Sequence, residues 1–305
     1  MKSASNSLNA SHLVGRFILV AVFAFLVASA NWGAAKDPDA AKPQSLLIKL
    51  KSGITLNYVV QGDPAGRPIV LLHGAGDSWH SYDQVLPLLP AKYRVYAITL
   101  RGHGWSDHPA DGFARADFAG DIAAFLAQLD LHNVVLVGHS LGSFVAQQVA
   151  ADDQGRIAKL VLIGSGPGII HDPQERESLA TVFGQLQDPI PYTFARDFQA
   201  STIYAPVPPT FFETLVNEAL KAPAATWHGL GKSFGSQEPV ALDHIKVPTL
   251  VFWGSKDNFF KKEDEDVLVS KIAGAKLVVY PETGHALHWE RPERFAHDLT
   301  EFSEK

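Results

Sequence analysis

From residue 45 onward the apolar positions change period repeatedly, and each change predicts an element. Residues 46–50 and 54–60, apolar and β-branched on either side of Ser52-Gly53, have the pattern of a β-hairpin. Residues 68–72 are wholly apolar, as in a strand covered on both faces. A helix is predicted over 81–89 and the next strand over 94–99. Within 118–129 the apolar residues fall at 118, 122, 125, 126 and 129, one stripe of a helix. A strand at 134–137, a helix at 141–151 and a strand at 160–163 continue the alternation. Strands alternating with helices require right-handed crossovers, and hence a mostly parallel sheet.

The alternation breaks at Gly164-Ser165-Gly166-Pro167-Gly168. It resumes with a strand at 249–253, a helix at 265–272, a strand at 277–280 and a helix at 292–302. Between them, residues 168–245 carry eight prolines, several amphipathic stretches and no strand-like run. The expected class is α/β: a mostly parallel sheet flanked by helices, formed by 46–167 and 246–305, with a helical cap inserted over 168–245.

The first thirty residues follow another pattern. Lys2 and Arg16 precede an apolar run of twelve, residues 17–28, which ends in Ala28-Ser29-Ala30. A basic start, a short apolar stretch and an A-x-A site are the parts of a secretory signal peptide. Twelve residues fall short of the ~20 that span a hydrocarbon core, so stable membrane insertion is not expected. The segment predicts a periplasmic or secreted protein cleaved near Ala30, with 31–45 as a linker; an uncleaved anchor is the alternative.

Composition removes several function classes. The 305 residues are 46% apolar and 19% charged, the make-up of a globular protein. A formal charge of −6 supplies no basic stripe for phosphates, so no nucleic-acid partner is expected. The one dense charge cluster, Lys261 to Asp266, reads as a solvated helix start. With no cysteine there is no disulfide, no thiolate metal site and no cysteine nucleophile. No H-E-x-x-H motif suggests zinc, and the expectation is no metal and no cofactor.

The candidate chemistry sits on the turns of the sheet. Gly138-His139-Ser140-Leu141-Gly142 is a G-x-S-x-G turn between a predicted buried strand and a predicted helix. Such a turn strains the serine backbone and leaves room only for small residues at ±2, which marks Ser140 as nucleophile. A glycine-rich phosphate turn is the other reading, but no lysine or ribose-binding acid follows it. A serine hydroxyl needs a base within hydrogen-bond reach, itself held by a carboxylate. His285, in Thr283-Gly284-His285-Ala286 after the strand at 277–280, is the candidate base among 13 histidines. Asp257, in Gly254-Ser255-Lys256-Asp257, is the candidate acid, ahead of Asp243, Asp264 and Glu282. His139 is expected to line the pocket, His103 to shape a turn and His288 to be a neighbour of the site. For the oxyanion, His73-Gly74-Ala75-Gly76 at the end of a strand offers the Ala75 N–H, beside the Leu141 N–H.

These residues together resemble the α/β-hydrolase superfamily from about 45 to 305. The nucleophile elbow falls at Ser140, the oxyanion loop at His73 to Gly76, the acid turn at Asp257 and the G-H turn at His285. Arg101-Gly102-His103-Gly104-Trp105-Ser106 is similar to the family's R-G-x-G-x-S turn, with Thr99 where an aspartate is common. The resemblance implies a cofactor-free hydrolase whose cap, 168–245, covers the pocket and sets specificity. Serine at the elbow argues against dehalogenases and epoxide hydrolases, which use aspartate there. It leaves esterases, lactonases, C–C bond hydrolases and cofactor-free perhydrolases. The oxyanion loop is poorer in glycine and proline than C–C hydrolases imply, and Ala75 stands where perhydrolases carry an aromatic. The expected function is therefore hydrolysis of a small hydrophobic ester or lactone through a Ser-His-Asp triad. A slow-turnover ligand sensor is the alternative from another class. The expected pocket residues are His139, Trp79, Phe144, Phe198, Phe212, Trp227 and Phe259.

Overall fold

The computed structural model describes residues 43–305 apart from 153–154, 168–172 and 237–238. The expected signal segment and nearly all of the expected linker lie outside the described residues. Eight strands form one sheet: β1 (Gln44–Lys49), β2 (Thr55–Gly62), β3 (Arg67–Leu72), β4 (Tyr93–Ile98), β5 (Val134–His139), β6 (Ile157–Ile163), β7 (Thr249–Gly254) and β8 (Lys276–Tyr280). Their order is β1-β2-β4-β3-β5-β6-β7-β8, with β2 antiparallel to both its neighbours and every other pairing parallel. All six residues of β5 are buried, as the unbroken apolar run of a strand covered on both faces requires.

Helices cover both faces. α1 (Arg115–Gln128) buries Phe118, Ile122, Phe125 and Leu126, the stripe read from the sequence. α2 (Leu141–Asp152) follows β5 directly and is buried along most of its length. The 168–245 stretch holds α3 (Pro173–Gly184), α4 (Tyr192–Ser201), α5 (Pro209–Lys221) and α6 (Ala224–Ser236). Pro209 opens α5 at a position where a missing N–H breaks no helical bond. α7 (Lys262–Lys271), the single turn α8 (Leu287–Glu290) and α9 (Pro292–Glu304) complete the chain.

One predicted element differs. Residues 81–89 are not an α-helix but lie across two short 3₁₀ turns, Trp79–Tyr82 and Leu86–Leu88. Pro87 has no N–H to donate four residues back, and its ring would collide with the Asp83 carbonyl of a regular helix. The apolar residues still face inward, with Tyr82, Val85, Leu86 and Leu89 all buried.

The strand order positions the site. The chain leaves β3 for β4 on one side and later returns to β5 on the other. At that reversal the loops after neighbouring strands diverge and open a crevice at the strands' carboxyl ends. The loops after β3 and β5, with those after β7 and β8, carry the candidate residues.

Candidate active site

Ser140 sits at the end of β5 with φ +52°, a left-handed conformation that costs a non-glycine residue about 1–2 kcal/mol. The surrounding turn holds it there. The Ser140 carbonyl accepts the Ser143 N–H at 2.8 Å and the Ser143 hydroxyl at 2.6 Å, and the Ser140 N–H donates to the Ile163 carbonyl at 3.0 Å. Both flanking glycines are obligatory. A Cβ on Gly138 would lie 2.2 Å from the Gly142 carbonyl oxygen, and one on Gly142 would lie 2.5 Å from that of Leu72. Beneath the turn, Ser143, Ser165 and Gln147 are joined by buried hydrogen bonds of 2.7 and 2.9 Å.

His285 and Asp257 meet in a buried pair. His285 Nδ1 lies 2.9 Å from Asp257 Oδ2, while Asp257 Oδ1 accepts the N–H groups of Phe259 and Phe260 at 2.7 and 3.1 Å. The carboxylate, spoken for on both oxygens and fully buried, can only accept, so Nδ1 carries the imidazole proton. In the neutral imidazole this tautomer leaves Nε2 as the acceptor, the nitrogen a general base uses. Gly164, with φ +51°, packs on this ring: a Cβ there would lie 2.6 Å from Nδ1. Two of the rival acids are engaged elsewhere. Asp264 caps the start of α7 and Glu282 is an exposed loop residue.

The loop after β3 is fixed by His73. Its Nε2 accepts the Leu100 N–H at 2.9 Å, so its Nδ1 must carry the proton and donates to the Gly74 carbonyl at 2.7 Å. Burial, chiefly, keeps this ring well below the usual imidazole range and neutral. Gly76, at φ +75°, lies under Trp227, whose ring a Cβ would approach to 2.6 Å. Among the described residues, neither the Ala75 N–H nor the Leu141 N–H donates to a protein acceptor. Two buried donors without partners beside a serine are what a developing oxyanion would use. The family's usual aspartate position is filled by Thr99, whose hydroxyl accepts the Trp79 N–H at 3.2 Å and keeps this turn tied down.

Ser140, His285 and Ala75 line one cavity with His139, Phe144, Phe198 and Phe259, all of them sequence candidates. Asp257 and Leu141 lie just behind the lining, and three of the expected pocket residues do not line it. Trp79 stacks on His80 with ring centroids 3.7 Å apart and packs against the core on the opposite face of the sheet. Phe212, half-buried on α5, packs against the main core. Trp227 is fully buried one layer back, edge-on to Phe183 and Phe198 at 4.9 and 5.2 Å. In their place α3 supplies Leu179 and Phe183, α4 supplies Gln199, with Thr202 capping its end, and α6 supplies Phe234. Helices α3, α4 and α6 therefore reach the cavity that holds Ser140.

The polar end of the cavity is uncharged. Asp77 is buried, and desolvation raises its carboxyl to about 8 despite hydrogen bonds from Gln199 and Ser81. His139, whose Nδ1 lies 3.9 Å from Asp77 Oδ2, is held well below the usual imidazole range by burial and by the rings of His288 and His285. Both groups are thus neutral at pH 7. For Asp77 the folded value exceeds the unfolded value of 3.8, so its contribution to stability is complete below about pH 4. It declines from there and is lost as pH rises through about 8. Asp77→Asn, which keeps the shape of the neutral acid, should remove that decline. The gap in unfolding free energy between wild type and variant, from denaturant melts, should shift in favour of the variant from pH 5 to pH 9. A constant gap would show that Asp77 is already ionised at pH 5.

Similarity to known proteins agrees with this geometry. Residues 67–292 match the model of the alpha/beta hydrolase fold family. A non-heme haloperoxidase of Rhodococcus erythropolis is 31% identical over 257 residues, covering 79% of this chain and 93% of that protein. A 2-hydroxy-6-oxononadienedioate/2-hydroxy-6-oxononatrienedioate hydrolase of Paraburkholderia xenovorans is 27% identical over 275 residues, covering 85% and 94%. Among solved structures, an esterase from Exiguobacterium antarcticum superposes with a TM-score of 0.78 at 25% identity, covering 86% of this chain and all of that one. The sheet that reverses between β3 and β5, the strained serine at that reversal and the match across most of the chain have one reading: this protein is a member of the α/β-hydrolase family.

Proposed function

We propose that the protein hydrolyses a carboxylic ester or lactone of a small hydrophobic substrate through an acyl-enzyme on Ser140. The observation that carries this reading is the buried Asp257–His285 pair, with Nδ1 at 2.9 Å from the carboxylate and the ring in the cavity that holds Ser140. In the first half-reaction His285 Nε2 takes the Ser140 Oγ proton as Oγ attacks the ester carbonyl. The Ala75 and Leu141 N–H groups receive the oxyanion. Collapse breaks the bond to the alcohol, which leaves with the proton from His285. Water then attacks the acyl-enzyme by the same route and releases the acid. Similarity to the Exiguobacterium esterase supports an ester as substrate. The haloperoxidase relative supports a second reading, attack on the acyl-enzyme by hydrogen peroxide in place of water. The dioate named for the Paraburkholderia relative suits this cavity poorly, since no lysine or arginine is among its described lining residues.

In this reading α3, α4 and α6 form a cap whose aromatic side chains bury the acyl or aryl group. Each added methylene contributes about 0.8 kcal/mol, roughly fourfold in kcat/KM, until the cavity is full. Across 4-nitrophenyl acetate to octanoate, Phe198→Ala should move the preferred chain length. Phe212→Ala, outside the cavity, should lower thermal stability and leave the ranking as it was. A uniform loss in both variants would mean that the cap does not select the acyl group.

We also propose export, on the strength of residues 17–28 and Ala28-Ser29-Ala30. Among the described residues no helix is long and apolar enough to cross a membrane. N-terminal sequencing of the protein from a bacterial host's periplasm should begin within a few residues of Asn31. Recovery of intact residues 1–10 from a cytoplasmic fraction alone would refute export.

A further inference from the structure

Gln199 is a polar side chain with no exposed surface on a helix, α4, that is otherwise amphipathic. Its Nε2 donates to Asp77 Oδ1 at 2.9 Å and to the Gly76 carbonyl at 3.3 Å. The Gly76 carbonyl only accepts, so the nitrogen, not the oxygen, must face it. That fixes Oε1 on the other side, where it is buried and, among the described residues, has no hydrogen-bond partner. An unpartnered buried acceptor is expensive to leave empty, and both Gln199 and Asp77 line the cavity.

We propose that Gln199 and Asp77 form a neutral polar subsite beside Ser140 that takes the hydroxyl of an aryl hydroxy-ester and turns away anionic analogues. The inference rests on the ester-hydrolase reading and names its substrate class. Three features set that class. Gln199 Oε1 calls for a hydrogen-bond donor on the substrate. The pair touches Gly76, next to the Ala75 N–H, so the donor lies within a few atoms of the ester carbonyl. Much of the remaining wall is aromatic, with Phe144, Phe183, Phe198 and Phe234 available to an arene. Anions fare badly because no described lysine or arginine lines the cavity. The Glu218 carboxylate, which already opposes ionisation of Asp77, would also oppose a carboxylate on the substrate.

Three methyl esters with a common skeleton test this at pH 7: phenylacetate, mandelate and the phenylmalonate monoester, which carry H, OH and carboxylate on the same carbon. The readout is kcat/KM divided by each ester's rate with hydroxide, which removes intrinsic reactivity. Mandelate should exceed phenylacetate by about 10-fold or more, and phenylmalonate should fall at least 10-fold below it. In Gln199→Leu the mandelate-to-phenylacetate ratio should drop to about one; in Asp77→Asn, still a neutral group, it should persist. If Gln199→Leu does not fold, the wild-type ratios decide alone. Turnover of phenylacetate with no preference for mandelate overturns the subsite and leaves the esterase reading standing. No turnover of any of the three by a protein that cleaves 4-nitrophenyl butyrate overturns the subsite alone; no turnover of 4-nitrophenyl butyrate either overturns both.

Discussion

Ser140→Ala should lower turnover of 4-nitrophenyl butyrate by about 10⁴-fold or more while the protein stays folded. The size of the effect follows from what remains. Without Oγ no acyl-enzyme forms, and the Ala75 and Leu141 N–H groups can only polarise a carbonyl that no nucleophile attacks. Retained folding follows from the turn itself. The strained φ of +52° is maintained by bonds to the Ser140 backbone, from Ser143 and to Ile163, and the substitution leaves these in place. His285→Ala should cost about as much as the serine change, because base and nucleophile act as one unit. Rates through a temperature series, with circular dichroism as the control for folding, check both.

Asp257→Asn carries the second large effect, a fall of about 10³–10⁴-fold in kcat. An amide can accept through one atom only. If Oδ1 continues to receive the Phe259 and Phe260 N–H groups, the atom facing His285 is an N–H donor. His285 would then turn its unprotonated nitrogen toward residue 257 and present Nε2–H to Ser140, a donor where a base is needed. The backbone bonds survive, so the melting temperature should change little. Asp257→Ala separates the two roles. It removes the acceptor for both N–H groups and should lose about 1–3 kcal/mol of stability for each group left unsatisfied. Equal activity in wild type and Asp257→Asn would remove Asp257 from the triad.

Much of this was legible in the chain because the constraints are local. The period-2 and period-3.6 stretches gave the sheet and its helices, and G-x-S-x-G placed between them located the strained turn. Asp257 and His285 were legible as candidates because each follows a strand at the sheet's carboxyl edge, and the fold pairs them at 2.9 Å. What escaped depends on contacts between distant segments. Gln199 lies 122 residues from Asp77, and within Asp197-Phe198-Gln199-Ala200 nothing marks a glutamine that will be fully buried. Nor does the sequence mark Phe183, whose ring meets those of Phe194, Phe198, Trp227 and Phe234. Trp79, Phe212 and Trp227 are aromatics of the core loops and of the cap stretch, which is what makes them pocket candidates in the sequence. Size predicts burial but not which layer a ring joins, and these three joined the core. The broken 81–89 helix was foreshadowed by Pro87, whose effect outweighed an inward-facing apolar pattern.

Covalent capture of the nucleophile tests the central claim most directly. The folded protein is incubated with a fluorophosphonate and digested, and the modified peptide is identified by mass spectrometry. Phosphonylation of Ser140 alone, at one per chain and abolished in His285→Ala, is the result expected of a serine activated by that base. A folded protein that cleaves 4-nitrophenyl butyrate yet is left unmodified at Ser140, or is modified at another serine with loss of that activity, would contradict the assignment.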